Sequence, residues 1–283
     1  MKRIVLSFSL AAIFIAGFVL FCSSAQGVDK ADAELSVITK DIPAAWWDGG
    51  WNKLDELQNF IAKYPDKPLL SAQAQYYVGC YYYSIKDYSS AIRCYEAVMT
   101  NYPAAEVFCV KAQYEIAQIY LNCLHEPDTA IREYEKILSN YSDMNLRPIA
   151  QLMIGKAYAD LEDYAKAEEA YKKVVEDYPK AARQRFEAYM GLGDSLMSQA
   201  SNTTDKAKIS SAISYYKKAY QICPLEETNL LQYAISKIYE ALKYLDNSVV
   251  RANKFIKYQK YGPEGQDGIS GTADDLTDPL AGF

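Results

Sequence analysis

Residues 78–103 read VGCYYYSIKDYSSAIRCYEAVMTNYP, and residues 154–179 read IGKAYADLEDYAKAEEAYKKVVEDYP. Laid over one another without a gap, Gly, Tyr, Asp-Tyr, Ala, Tyr and Tyr-Pro coincide at an offset of 76 residues. Halfway between them, IAQIYLNCLHEPDTAIREYEKILSNYS (116–142) carries the same pattern with one inserted residue. The period is therefore about 38 residues, and such self-similarity marks a repeat architecture. A fourth copy begins at Leu192-Gly193, has a longer central loop (Ser198–Asp205) and resumes at Ala212, Tyr216 and Pro224. A worn fifth follows at Ile235–Tyr239, and an unpaired half-copy, KLDELQNFIAKYP (53–65), precedes them all.

Each copy predicts two helices. Gly79, Tyr82 and Tyr83 lie on the first, Ser84–Lys86 turns the chain, and Asp87 suits the N-cap of the second. Ala91, Tyr95 and Val98 then recur at three- and four-residue spacing, which gives one buried face. Pro103 stops the pair. Small residues recur in two columns, Gly79/Ala117/Gly155/Gly193 and Ala91/Ala130/Ala167/Ala212, so the two helices can approach closely. A single hairpin cannot bury both of its faces, and the units must stack into an all-α array.

Small residue, tyrosine three on, alanine nine further, aromatic four further and proline eight further: this spacing resembles the tetratricopeptide repeat. That repeat is about 34 residues long, and here about four more fall between copies, roughly one helical turn. With FIAKYPDK or VVEDYPKA leading into the next copy, the chain looks like exported bacterial tetratricopeptide proteins. The Tol–Pal coordinating protein and the outer-membrane-assembly lipoprotein are among those. The resemblance implies a right-handed α-solenoid over 52–261, a non-enzymatic scaffold that holds a protein or peptide partner in a concave groove. It further implies that the groove is lined by the first helix of each pair. Tyr76, Cys80 and Tyr83 from the first full copy, Tyr114 and Gln118 from the next, and Lys156 from the third take those positions. Asp194 and Met197 take them in the fourth. Tyr76, Tyr83 and Tyr114 would form an aromatic platform, since rigid aromatics favour protein contact at low entropic cost. The Lys and Asn that would grip a C-terminal carboxylate are replaced at groove positions by Tyr76 and Cys80.

The two ends carry different signals. Lys2 and Arg3, an apolar run from Ile4 to Phe21 and then CSSAQG are what an export signal needs, with cleavage after Ala25 or Gly27. Residues 1–27 are read as that signal, and the site of action as the periplasm or cell envelope. Lipid attachment at Cys22, with outer-membrane association, is the alternative, although Phe21 stands where that signal wants a small residue. Residues 28–51 form a linker or cap, in which Trp46, Trp47 and Trp51 are expected to cover the open face of the first copy. Residues 262–283 break the pattern with Gly, Pro and acid and predict a disordered tail. Asp267, Asp274, Asp275 and Asp278 there loosely resemble a calcium loop, without its regular spacing.

The chain has 30 basic and 36 acidic residues, net −6, which disfavours a nucleic-acid-binding face. No metal-ligand spacing, phosphate loop or nucleophile–base pair stands out, so neither an enzyme nor a cofactor is expected. His125 reads as a turn residue. Cys80 and Cys94, on opposite arms of one hairpin, are a candidate disulfide, with buried free thiols as the other reading. Twelve tyrosines fall in three repeat columns and read as packing residues: Tyr82/Tyr120/Tyr158/Tyr239, Tyr95/Tyr134/Tyr171/Tyr216 and Tyr64/Tyr102/Tyr141/Tyr178. A glycan- or peptidoglycan-binding protein that uses aromatics as sugar platforms is the second functional reading, and self-association is the rival for the exposed aromatics.

Overall fold

The computed structural model describes residues 29–40, 53–142, 145–200, 205–223 and 227–245. The described residues are all helix and turn, with no strand. The chain is an all-α solenoid built from consecutive helical hairpins, and it divides into two compact units, Met1–Ile119 and Tyr120–Phe283.

The first unit holds α1 (Lys30–Thr39), α2 (Leu54–Lys63), α3 (Pro68–Ser84), α4 (Tyr88–Asn101) and α5 (Glu106–Gln118). Each helix from α2 onward packs on the next, and α3 also touches α5, the first helix of the following copy. The half-copy α2 buries Leu57 and Phe60. Its open side is met by α1, which buries Ala31, Leu35 and Ile38 and packs on α2 and α3. Asp29 caps α1 through Ala31 N–H, Lys67 pairs with Asp29 at 2.6 Å, and Glu34 takes Lys63 and the Tyr64 hydroxyl at 2.6 and 2.8 Å. Part of the expected linker is thus a packed helix. The tryptophans expected to cap this end, Trp46, Trp47 and Trp51, lie outside the described residues, as do Cys22, Ala25, Gly27 and the tail with Asp267, Asp274, Asp275 and Asp278.

The second unit holds α6 (Pro127–Asn140), α7 (Leu146–Asp160), α8 (Tyr164–Asp177), α9 (Ala182–Gln199), α10 (Lys206–Ile222) and α11 (Thr228–Leu245). Here too each helix packs on its successor, and α7 touches α9, again first helix to first helix. The segment Ile119–Cys123 continues α5 as a π-helix. It absorbs the residue inserted in the second copy, because a π-turn holds one more residue than an α-turn.

The turn inside three copies has one chemistry. Lys86, His125 and Glu162 hold φ of 64°, 57° and 59°, the left-handed conformation that ends a helix. In the first and third copies the next amide then returns to the first helix: Asp87 N to Tyr82 O at 2.9 Å, Asp163 N to Tyr158 O at 3.0 Å. Asp87, Asp163 and Asp205 each cap the second helix, accepting from Ser90, Lys166 and Lys208 N–H.

The glycine column exists for the tyrosine column. Tyr95 and Tyr216 are 0% and 1% exposed, and Tyr171 is 3%. A Cβ on Gly79 would stand 2.5 Å from the Tyr95 ring, and one on Gly155 2.5 Å from the Tyr171 ring. Gly193 meets Tyr216 in the same way. The Tyr171 ring is also pressed by Gly191 of the following copy, again at 2.5 Å from a built Cβ, so one ring joins three helices. A second tie repeats at the same offset: Gln75 Nε2 donates to Cys94 O at 3.3 Å, and Gln151 Nε2 to Ala170 O at 3.2 Å. Each satisfies a second-helix carbonyl from the first helix.

Two expectations follow. Gly155→Ala should destabilise the chain by about 1–3 kcal/mol in thermal or urea unfolding, because Tyr171 has glycine on both sides and nowhere to move. Adding Tyr171→Leu should recover part of that loss; an unchanged melt in Gly155→Ala would contradict the seat. Lys86→Gly and Glu162→Gly should each raise stability by about 0.5–1 kcal/mol, since glycine takes positive φ without a Cβ penalty.

Candidate functional site

The face made by α3 and α5 in the first unit is where the expected platform falls. Tyr76 and Cys80 do not face outward as the family resemblance implied: they are 8% and 0% exposed. Tyr76 lies among Tyr95, Phe108 and Tyr77, with ring centroids 5.5, 6.1 and 5.8 Å away. Phe108, on α5, belongs to the next copy, whose arrival covers the ring. Cys80 Sγ points inward, where the Tyr95 hydroxyl donates to it at 3.5 Å. Cys94 is one residue before Tyr95, about 100° around α4, and so points elsewhere. The five described cysteines are free thiols, and Cys80 and Cys94 are not bridged. Burial pushes the Cys80 thiol well up, which leaves it a poor nucleophile.

Tyr83, Tyr114 and Gln118 are half-buried and stay at the surface of this unit. Tyr83 rests on Tyr88 at 5.8 Å, and Gln118 Nε2 donates to the Tyr114 hydroxyl at 2.9 Å. Of the expected groove residues in this unit, Tyr83, Tyr114 and Gln118 thus stay partly exposed, and Tyr76 and Cys80 do not.

Beside them stands a residue the spacing argument passed over. Glu115 follows Tyr114, and its Oε1 accepts the Tyr76 hydroxyl at 3.1 Å. Burial pushes its carboxyl up to about 7 against the pull of the Tyr76 hydrogen bond and of Lys111. The available signal was a carboxylate within a half-buried first helix, one position past a groove residue.

In the second unit the first helices present charge instead. Lys156 pairs with Glu187 at 2.6 Å, and Arg183 reaches Glu187 and Glu227 at 3.5 and 3.6 Å. Asp194 accepts the Tyr216 hydroxyl at 2.8 Å and Lys237 at 3.1 Å. These side chains join α7 to α9 and α9 to α11. Between α9, α10 and α11 lies a cavity of about 820 Å³, with Asp194, Tyr216 and Lys237 as its polar wall and Met197, Ile209 and Tyr244 among its apolar lining. Lys237, which completes this wall, was invisible to the groove count because the fifth copy is too worn to align.

Among the described residues no three His, Cys, Asp or Glu side chains gather as a metal site would require, and no helix is long and apolar enough to cross a membrane. His125 sits in its turn with positive φ, as a linker between helices.

Comparison with known proteins places this geometry. Residues 73–105, 111–143 and 149–181 match the family described as tetratricopeptide repeat, three consecutive times. No curated protein matches the chain.

Glu115 makes a pH expectation. Its folded-state value lies above the ordinary 4.5, so the folded chain binds the proton more tightly than the unfolded one. Stability from this group is full below about pH 4.5, falls as pH rises through the window to about 7, and is lost above it. Glu115→Gln should match the wild type near pH 4.5 and exceed its stability at pH 8 by on the order of 2 kcal/mol. Melts at both pH values check this; an equal difference at both would contradict it.

Proposed function

We propose, for a tetratricopeptide-repeat protein with three consecutive copies between residues 73 and 181, that it is a non-enzymatic scaffold of the bacterial cell envelope. Tetratricopeptide repeats generally mediate protein–protein interaction. The finer reading is that a peptide or protein partner lies along the first-helix face. One observation carries it: Tyr83, Tyr114 and Gln118 stand half-open on the surface of the first unit, while the second-helix column Tyr95, Tyr134, Tyr171 and Tyr216 is sealed in the core. Rigid aromatics with polar tips give large contact area at low entropic cost. The α3–α5 face thus presents aromatic and polar side chains at the surface.

Export to the envelope is supported by the charged start, apolar run and small residues of the first 27 positions. The tail and the N-terminal tryptophans are further candidates for partner contact or self-association. Binding of glycan or peptidoglycan is the second reading, favoured by the same exposed tyrosines.

Tyr83→Ala with Tyr114→Ala should abolish recovery of the envelope partner from crosslinked cells and leave helicity unchanged by circular dichroism. Unchanged recovery would remove the platform, and protection of these tyrosines by soluble glycan would shift the reading to sugar. Fractionation with N-terminal sequencing should find the chain outside the cytosol and beginning at Gln26, Val28 or Cys22; full-length protein in the cytosol would contradict export.

A further inference from the structure

In the second unit, charge drawn into the first-helix faces is paired among the described residues, and in the first unit Glu115 differs. Glu187 has Lys156 and Arg183, and Asp194 has Lys237. Glu115 takes part in no ion pair among the described residues. Its one hydrogen bond is from a neutral donor, the Tyr76 hydroxyl, to Oε1. Glu115 is half-buried and not sealed in the core.

We infer that Glu115 receives the ammonium or guanidinium group of a lysine or arginine in the bound peptide, on the α3–α5 face; the inference rests on the scaffold reading above. The groups around it decide the class of ligand. From α3 come Tyr76, Tyr77 and Cys80, from α4 Tyr95, and from α5 itself Lys111, Tyr114 and Gln118. All but Lys111 are uncharged side chains at pH 7, and Lys111 Nζ sits 5.2 Å over the Phe108 ring and acts on Glu115 through its charge without a hydrogen bond to it. An apolar side chain seated here would cover a carboxylate without replacing its water, and an acidic one would meet like charge. A metal ion would need further carboxylate, thiol or imidazole ligands that this face does not gather. An organic cation replaces the lost hydration with charge-assisted hydrogen bonds.

Burial contributes a second property. Because it holds the Glu115 proton up to about 7, a bound cation must displace that proton, so binding should weaken as the medium becomes mildly acidic. Tyr76, Tyr77, Cys80 and Tyr95 are all pushed up by burial and stay neutral through that range, which leaves Glu115 as the titrating group of the site.

The test is selection from a displayed library of random twelve-residue peptides on the full chain at pH 8. The peptides recovered should share a lysine or arginine at one position. Replacing that residue by norleucine, or using Glu115→Gln, should each weaken binding about tenfold or more, and the two together no further. At pH 5.5 the wild type should fall to the level of Glu115→Gln. Peptides that bind with no basic preference, or equally to Glu115→Gln, would overturn the inference and leave the scaffold reading standing. Recovery of no peptide at either pH would overturn both.

Discussion

A tyrosine ring from the second helix, seated on a glycine of the first, is the contact on which three of the hairpins depend. Gly79 under Tyr95, Gly155 under Tyr171 and Gly193 under Tyr216 are the same seat in three copies. Without a Cβ the first helix comes close enough for the ring to fill the space between the two backbones. At Tyr171 the opposite side of the ring meets Gly191, so the same side chain closes its own hairpin and begins the next. Tyrosine rather than leucine fits because the ring tip ends near polar atoms: Tyr95 donates to Cys80 Sγ and Tyr216 to Asp194. A buried hydroxyl left without a partner would be costly. A repeat protein is regular when one such contact recurs, and here it recurs in the first, third and fourth copies, with Ala117 at the glycine position of the second.

That regularity explains what could be read from the amino-acid order and what could not. Gly79 and Gly155, Asp87 and Asp163, Tyr95 and Tyr171 share one offset, so the hairpins, their turns and their core column were legible before any coordinates. Contacts peculiar to one copy were not. Tyr76 occupies a position that should face outward, yet Phe108 of the next copy and Tyr95 close over it. The aromatic character of that next helix, rather than the position of Tyr76, decides its burial. Cys80 and Cys94 have compatible heights along their helices and incompatible directions, because Cys94 adjoins the inward Tyr95 and is turned from it. Helix α1 escaped notice because its apolar face is three residues, Ala31, Leu35 and Ile38, and its hold comes from Lys63, Tyr64 and Lys67 far along the chain.

The two units solve the chemistry of the first-helix face differently. In the first, aromatic side chains dominate, and among the described residues the carboxylate of Glu115 is matched only by a phenol. In the second, Lys156, Glu187, Asp194 and Lys237 satisfy one another across successive helices. Exposed pairs of this kind contribute little to stability individually, but they fix which neighbours meet. A face already matched to itself offers an incoming partner less than one with a carboxylate outside any ion pair and two partly exposed tyrosines. Partner selection is therefore expected from the first unit, with stacking order reinforced in the second.

Site-specific photo-crosslinking in intact cells tests this account most directly. A photoreactive amino acid at Tyr83 or Gln118, on the first-helix side of the first unit, should trap one and the same envelope protein. The same group at Arg93 or Glu96, on the exposed side of α4, should trap none of it. Capture from α4 and silence from Tyr83 and Gln118 would contradict the assignment of the binding face.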